Sequence, residues 1–195
     1  MFKAWPAFRA VLLALALAIP ACAYDVPLSE NSIRNAYFLG TRLGGLNPEF
    51  LAGYARLVPD LKQGNCTSQA RLETPFLEVA EYASKVPNYS AQSAVKDFSG
   101  KPLSFRIYLE VCYRRRAPAN AVTVKIIQNK KEVVANSFES SPYSESTEFG
   151  FLPPNGERIV LEFTAAKIDS GDLTVLIDTS DGQHGETKFN LQALR

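Results

Sequence analysis

The chain has 195 residues, 46% of them hydrophobic and 11% aromatic, and a formal net charge of +1. That content excludes a disordered chain. The near-neutral balance offers no global field for nucleic acid or an anionic lipid surface, so no nucleic-acid partner is expected.

Residues 1–23 read as a cleaved signal peptide. Lys3 and Arg9 give a positive start, Ala10 to Ile19 is an uninterrupted apolar run, and Pro20 breaks it. Ala21-Cys22-Ala23 then supplies the small-x-small cleavage pattern before Tyr24. The run is shorter than the roughly 20 apolar residues a membrane span needs. No second such run follows, so no transmembrane helix is expected after signal removal. An alternative uses Cys22 as a lipidated first residue, because Ile19-Pro20-Ala21-Cys22 has a small residue before the cysteine. Pro20 fits that pattern poorly, whereas Ala21-x-Ala23 fits ordinary cleavage. Cleavage after Ala23 leaves 172 residues and takes away two cations and no acid, which changes the net charge from +1 to −1. The expected location is periplasmic or extracellular.

The mature chain divides at 102/103 into a mainly helical part, residues 24–102, and a β-rich part, residues 103–195. Ser29 or Asn31 can cap a first helix whose apolar stripe is Ile33, Ala36, Tyr37, Gly40 and Leu43, widened by Phe38 and Leu39. Gly44-Gly45 ends it. Asn47 and Pro48 suit the cap and first position of a second helix with Phe50, Leu51, Tyr54 and Leu57 on one face, closed by Val58-Pro59. Gly40 and Gly53 each cost a helix about 1 kcal/mol against alanine, and close backbone packing is one reason to retain them. Asp60 to Asn65 reads as a polar loop, and Ser68 to Thr74 as a short strand or extended segment. Thr74 and Pro75 then start a helix over 76–86, and Ser90 starts another over 91–98.

From Leu103 to Tyr113 the pattern changes to strict alternation. Phe105, Ile107, Leu109, Val111 and Tyr113 share one face, and Arg106, Tyr108, Glu110, Cys112 and Arg114 the other. Strands are expected at 122–128 and 132–138, joined at Asn129-Lys130-Lys131 by a turn that lacks glycine. A polar loop around Pro142 and a strand at 147–152 should follow. Pro153-Pro154-Asn155-Gly156 is the clearest turn, and Asp181-Gly182 marks another. Ile159, Leu161 and Phe163 mark one further strand, Leu173, Val175 and Ile177 the next, and Phe189 and Leu191 the last. About seven short strands with no intervening helices predict an antiparallel β-sandwich, Ig-like or C2-like. The fold class is therefore α+β, with the helical part packed on the sandwich.

The mature cysteines, Cys66 and Cys112, form the simplest even pair for an oxidising compartment. A disulfide outweighs a reactive thiol, since no Cys-x-x-Cys and no neighbouring histidine supports the latter. It should stabilise the fold by about 2–4 kcal/mol. With Cys112 drawn to Cys66, the face bearing Arg106, Tyr108 and Glu110 should lie under the helical part as a candidate junction surface.

No other stretch carries a recognisable chemistry. His184 is the only histidine, so a zinc site lacks partners. Asp169-x-x-Asp172 and Asp178-x-x-Asp181 resemble calcium loops, but a strand of about 20 Å separates Asp172 from Asp178. Each loop alone offers too few ligands. Arg114 to Arg116 and Lys130-Lys131 read as charge that blunts strand ends and sheet edges. Asn65-Cys66-Thr67 and Asn88-Tyr89-Ser90 match the glycosylation acceptor pattern. No catalytic set, metal site or cofactor is expected.

Ser32 to Arg42, followed by Phe50-Leu51 and Tyr54, resembles the start of an uncharacterised family of bacterial exported proteins. Thr74-Pro75-Phe76 and Tyr89-Ser90-Ala91-Gln92 are similar to its later landmarks. The resemblance implies export to a bacterial envelope and carries no activity or site residues. The leading expectation is a non-enzymatic secreted or periplasmic protein that binds an envelope partner or serves a structural role. The rivals are a hydrolase-type enzyme with its site at the junction, and a lipid-anchored envelope protein held through Cys22.

Overall fold

Short polar side chains start each helix where a free backbone amide needs an acceptor. Ser29 accepts from the Ser32 amide at the start of α1 (Glu30–Gly40), and Asn47 from the Glu49 amide at α2 (Pro48–Gly53). Thr74 accepts from the Leu77 amide at α3 (Pro75–Lys85), and Ser90 from the Ser93 amide at α4 (Ala91–Phe98). Pro48 and Pro75 occupy first-turn positions, where a missing N–H costs nothing. The computed structural model describes residues 24, 26–42, 45–63, 66–112, 122–143, 146–147, 150–151 and 156–194. The signal segment with Cys22, Asn65, Tyr113, Arg114 to Arg116 and Pro153 to Asn155 lie outside the described residues.

The second helix is shorter than its apolar spacing implies. It ends at Gly53, and β1 (Ala55–Gln63) begins two residues later. Val58 is β-branched and Pro59 cannot continue a helix, while pairing with β2 (Cys66–Glu73) satisfies the backbone. Leu57 is consequently exposed, and the expected polar loop at 60–65 is strand through Gln63. A register shift between Val58 and Lys62 lets both Val58 and Leu61 bury their side chains.

β1 and β2 lie on the N-terminal side of 102/103 yet belong to the larger sheet, ordered β1-β2-β3-β9-β6. Here β3 is Ser104–Cys112, β6 is Ser137–Tyr143 and β9 is Gly156–Thr164. The second sheet runs β11-β10-β4-β5, built from His184–Asn190, Asp172–Thr179, Val122–Gln128 and Lys131–Glu132 respectively. Every neighbour pair in both sheets is antiparallel. The expected strand at 132–138 is in fact divided: β5 has two residues, and the chain leaves for the other sheet at Ser137. The polar stretch around Pro142 is strand, as the edge position of β6 allows. Within 147–152, β7 (Ser146–Thr147) and β8 (Gly150–Phe151) pair only with each other.

Phe105, Ile107, Leu109 and Val111 of β3 form one buried cluster with Leu161 and Phe163 of β9 and with Ile126, Val175, Ile177 and Phe189 of the second sheet. The sheets also meet at their edges. A Cβ on Gly185 of β11 would come within 2.6 Å of Leu61 and Val58 side chains of β1, so only glycine admits that approach. Tyr24 reaches the same cluster, edge-on to Phe105, and its hydroxyl donates to the Ala165 carbonyl. A second buried cluster joins Ile33 and Ala36 of α1 to Val79 and Ala80 of α3 and Ala94 of α4. Gly40 lies in that contact, where a Cβ would collide with the Ala80 carbonyl oxygen. Gly53 has no such role: its Cβ would meet only a Leu194 methyl at an ordinary 3.8 Å.

Cys66 and Cys112 are disulfide-bonded, with Cα atoms 6.0 Å apart. The bond closes the end of the β2–β3 pair, where the Ser68 hydroxyl also accepts from the Cys112 amide.

Candidate functional site

The polar face of the larger sheet carries the densest set of charged side chains, and strand register puts them in rows. Glu73, Arg106 and Glu162 stand side by side on β2, β3 and β9; Arg71, Tyr108 and Val160 form the next row, and Gln69, Glu110 and Arg158 the third. Cross-strand neighbours sit close enough for opposite charges to pair.

In the first row the Arg106 guanidinium lies 3.7 Å from Glu73 and 3.5 Å from Glu162. The Tyr108 hydroxyl donates to Glu73 and the Ser104 hydroxyl to Glu162. α3 starts directly after β2 and brings Glu81 to Arg71, an ion pair that Lys85 extends from one helical turn on. Arg71 also lies over the Tyr108 ring, 5.9 Å from its centroid. Glu78, on the same helix, interacts with Arg106, Glu73 and Glu162.

Three carboxylates thus share one guanidinium. Burial pushes the Glu78 carboxyl above its ordinary value; Glu73 and Glu162 add to that rise and Arg106 offsets part of it. Burial also lifts the Tyr108 hydroxyl, and its bond to Glu73 lifts it further, to about 12. Burial alone would lower the Arg106 value, but Glu73 and Glu162 outweigh it and raise it.

Of the expected junction residues, Arg106 and Tyr108 enter this cluster beside α3. Glu110 does not. It sits in the third row, bonded to Arg158 and Gln69 and substantially exposed. Glu73, Glu78, Glu162 and Ser104 complete the cluster, and no motif in the sequence singles them out. The alternation of β9 puts Glu162 opposite Phe163 in facing, but nothing in the sequence places it beside Arg106.

The other candidates are separate from this face. His184 opens β11 rather than lying in a loop; it is exposed, with Nδ1 2.5 Å from Asp178 across the strand pair. Asp181 accepts from the Thr179 hydroxyl and the Gln183 amide nitrogen within its own turn. Asp169 accepts from Asn129, and its backbone is bonded at both N–H and C=O to the Gln128 side chain. These oxygens organise turns. Among the described residues no group of three or more His, Cys, Asp or Glu side chains could hold a metal ion.

The described chain is thus a mixed helix-and-strand protein with two antiparallel sheets, in which no helix is long and apolar enough to cross a membrane. Comparison with family models, curated proteins and solved structures gave no match.

Proposed function

We propose that the chain is an exported, non-enzymatic protein of the cell envelope that binds a partner or serves a structural role. Its two sheets form a β-sandwich on which the helical part packs. The observation that carries this reading is that the polar groups of the Arg106 face bind one another. Arg106 is held by Glu73 and Glu162, Tyr108 by Glu73, and Glu110 by Arg158. Mutual pairing of this kind is what a structural ion-pair network on a sheet face shows. The Cys66–Cys112 bond supports an oxidising compartment, and the signal-like start and the resemblance to bacterial exported proteins support an envelope location. The shared buried cluster of both sheets supports the sandwich.

One observation favours the hydrolase-type reading. Glu78 is held toward its neutral form beside two other carboxylates, the arrangement that separates an acid from a base. Fractionation, mass spectrometry and turnover assays separate these readings. The mature protein should be recovered outside the cytoplasm with Tyr24 as its first residue. An acylated Cys22 would establish the lipid-anchored alternative, and an uncleaved cytoplasmic chain would overturn the reading. Ester, phosphate and glycoside substrates should show no turnover; turnover lost in a folded Glu78→Gln variant would establish the enzyme.

A further inference from the structure

A ridge of aromatic rings crosses the helical part: Tyr37, Tyr89 and Phe98 pack against its buried cluster, while Phe38 and Tyr82 at the flanks do not. Phe38 and Tyr37 on α1 are 5.2 Å apart between centroids, and Tyr37 lies 6.2 Å from Tyr89 in the α3–α4 link. Tyr82 on α3 continues the line, 5.0 Å from Tyr89 and 5.8 Å from Phe98 at the end of α4. Tyr37, Tyr89 and Phe98 are half-buried, but Phe38 is 58% and Tyr82 44% exposed. The α1 core face is Ile33, Ala36 and Gly40, so Phe38 points away from it.

Both signs of charge occur near the two exposed rings, but the exposed charge closest to them is mainly positive. Arg34 lies one helical turn before Phe38, and Arg42 follows just past the end of α1; both are exposed, and neither makes an ion pair among the described residues. Lys85 lies three residues after Tyr82 on α3 and is largely exposed despite its contact with Glu81. The nearby acids are engaged: Glu81 with Arg71 and Lys85, and Asp97 with the Tyr89 hydroxyl. Glu30, at the first turn of α1, is the one acid on that helix.

We propose that this ridge docks on an anionic phospholipid surface. Phe38 and Tyr82 enter the headgroup layer, where aromatic rings with a polar edge or neighbour are favoured, and Arg34, Arg42 and Lys85 meet phosphates. A neutral sugar or an apolar protein groove would accept the rings and leave the arginines unanswered; charge complementarity selects the anionic surface. With two exposed rings and no long apolar face, the attachment is reversible and salt-dependent. The proposal rests on the envelope location and names a lipid as the partner.

The test is co-sedimentation of the purified mature protein with vesicles of mixed phosphatidylglycerol and phosphatidylcholine, against vesicles of phosphatidylcholine alone. Binding should appear only on the mixed vesicles and fall at least about tenfold at about 1 M salt, where the screening length shrinks to about 3 Å. R34E/R42E and F38S should each reduce it severalfold with the fold intact by circular dichroism. Lys125→Glu with Lys188→Glu, the same charge change on the polar face of the smaller sheet, should leave it unaltered. Equal binding to neutral vesicles, or equal loss in both charge variants, overturns the docking surface. Absence of binding by a protein recovered outside the cytoplasm overturns the lipid partner while leaving the exported reading intact.

Discussion

Gly40 of α1 rests against the carbonyl oxygen of Ala80 on α3 so closely that no β-carbon fits between them. A glycine near the end of a helix lowers its intrinsic stability, and here the loss permits an approach between the two helices that a β-carbon would block. Gly40→Ala sets two effects against each other. Alanine gains about 1 kcal/mol of helix propensity, but it must push a backbone apart, and overpacking costs about 1–3 kcal/mol or more. The collision is with backbone that cannot rotate away, so the variant should be destabilised by about 2 kcal/mol net. Urea titration checks this, and an equal or higher midpoint would show that the helices separate freely. Gly53→Ala has no such contact to break and should be tolerated.

The disulfide closes a long loop. Cys66 and Cys112 are 46 residues apart in sequence, and removing both thiols as C66A/C112A should cost about 2–4 kcal/mol. Adding reductant to the parent should reproduce most of the loss. A double variant with parental stability would show that the pairing of β2 with β3 suffices without the covalent bond.

The Glu78 carboxyl gives the folded state a pH signature. Its folded value lies above the ordinary 4.5 because burial disfavours the charged form. The folded chain then holds a proton that the unfolded chain has lost. The contribution to stability is fully present below 4.5 and disappears as pH rises through the folded value. Glu78→Gln should remove this part of the profile and be at least as stable as the parent at neutral pH. Denaturant midpoints across the acid-to-neutral range check the sign; a Glu78→Gln variant clearly weaker at neutral pH would show that ionised Glu78 stabilises the Arg106 cluster.

The hairpin between β4 and β5 turns on Asn129 and Lys130, with φ of +51° and +62°. Two successive left-handed residues make the tight turn that suits strand twist, and lysine bears a steric cost there that glycine does not. Lys130→Gly should therefore stabilise the protein by about 1 kcal/mol. Thermal unfolding checks it, and a lowered midpoint would mean that the Lys130 side chain makes a contact outweighing the backbone relief.

The sequence by itself determined the local features. Asn47, Thr74 and Ser90 read as caps, and Ser29 or Asn31 as the first, because a short side-chain oxygen beside a free amide is a relationship over two or three residues. The structure chooses Ser29. The alternation of Phe105, Ile107, Leu109 and Val111 likewise marks a strand with one buried face. The tertiary structure decided what lies beside what. The segment 55–63 has helical spacing at its start, and pairing with β2 makes it a strand. Ser140 to Tyr143 reads as part of a polar loop, and a place at the edge of the larger sheet makes it strand too. Arg106 could be assigned a facing from alternation, but its neighbours Glu73 and Glu162 come from strands 33 residues before it and 56 after. Only register across three strands brings them within reach. Local steric and hydrogen-bonding preferences act within a turn of helix or a few strand residues. Partners far apart in the chain are chosen by the packing that buries the most apolar surface once all the strands are present.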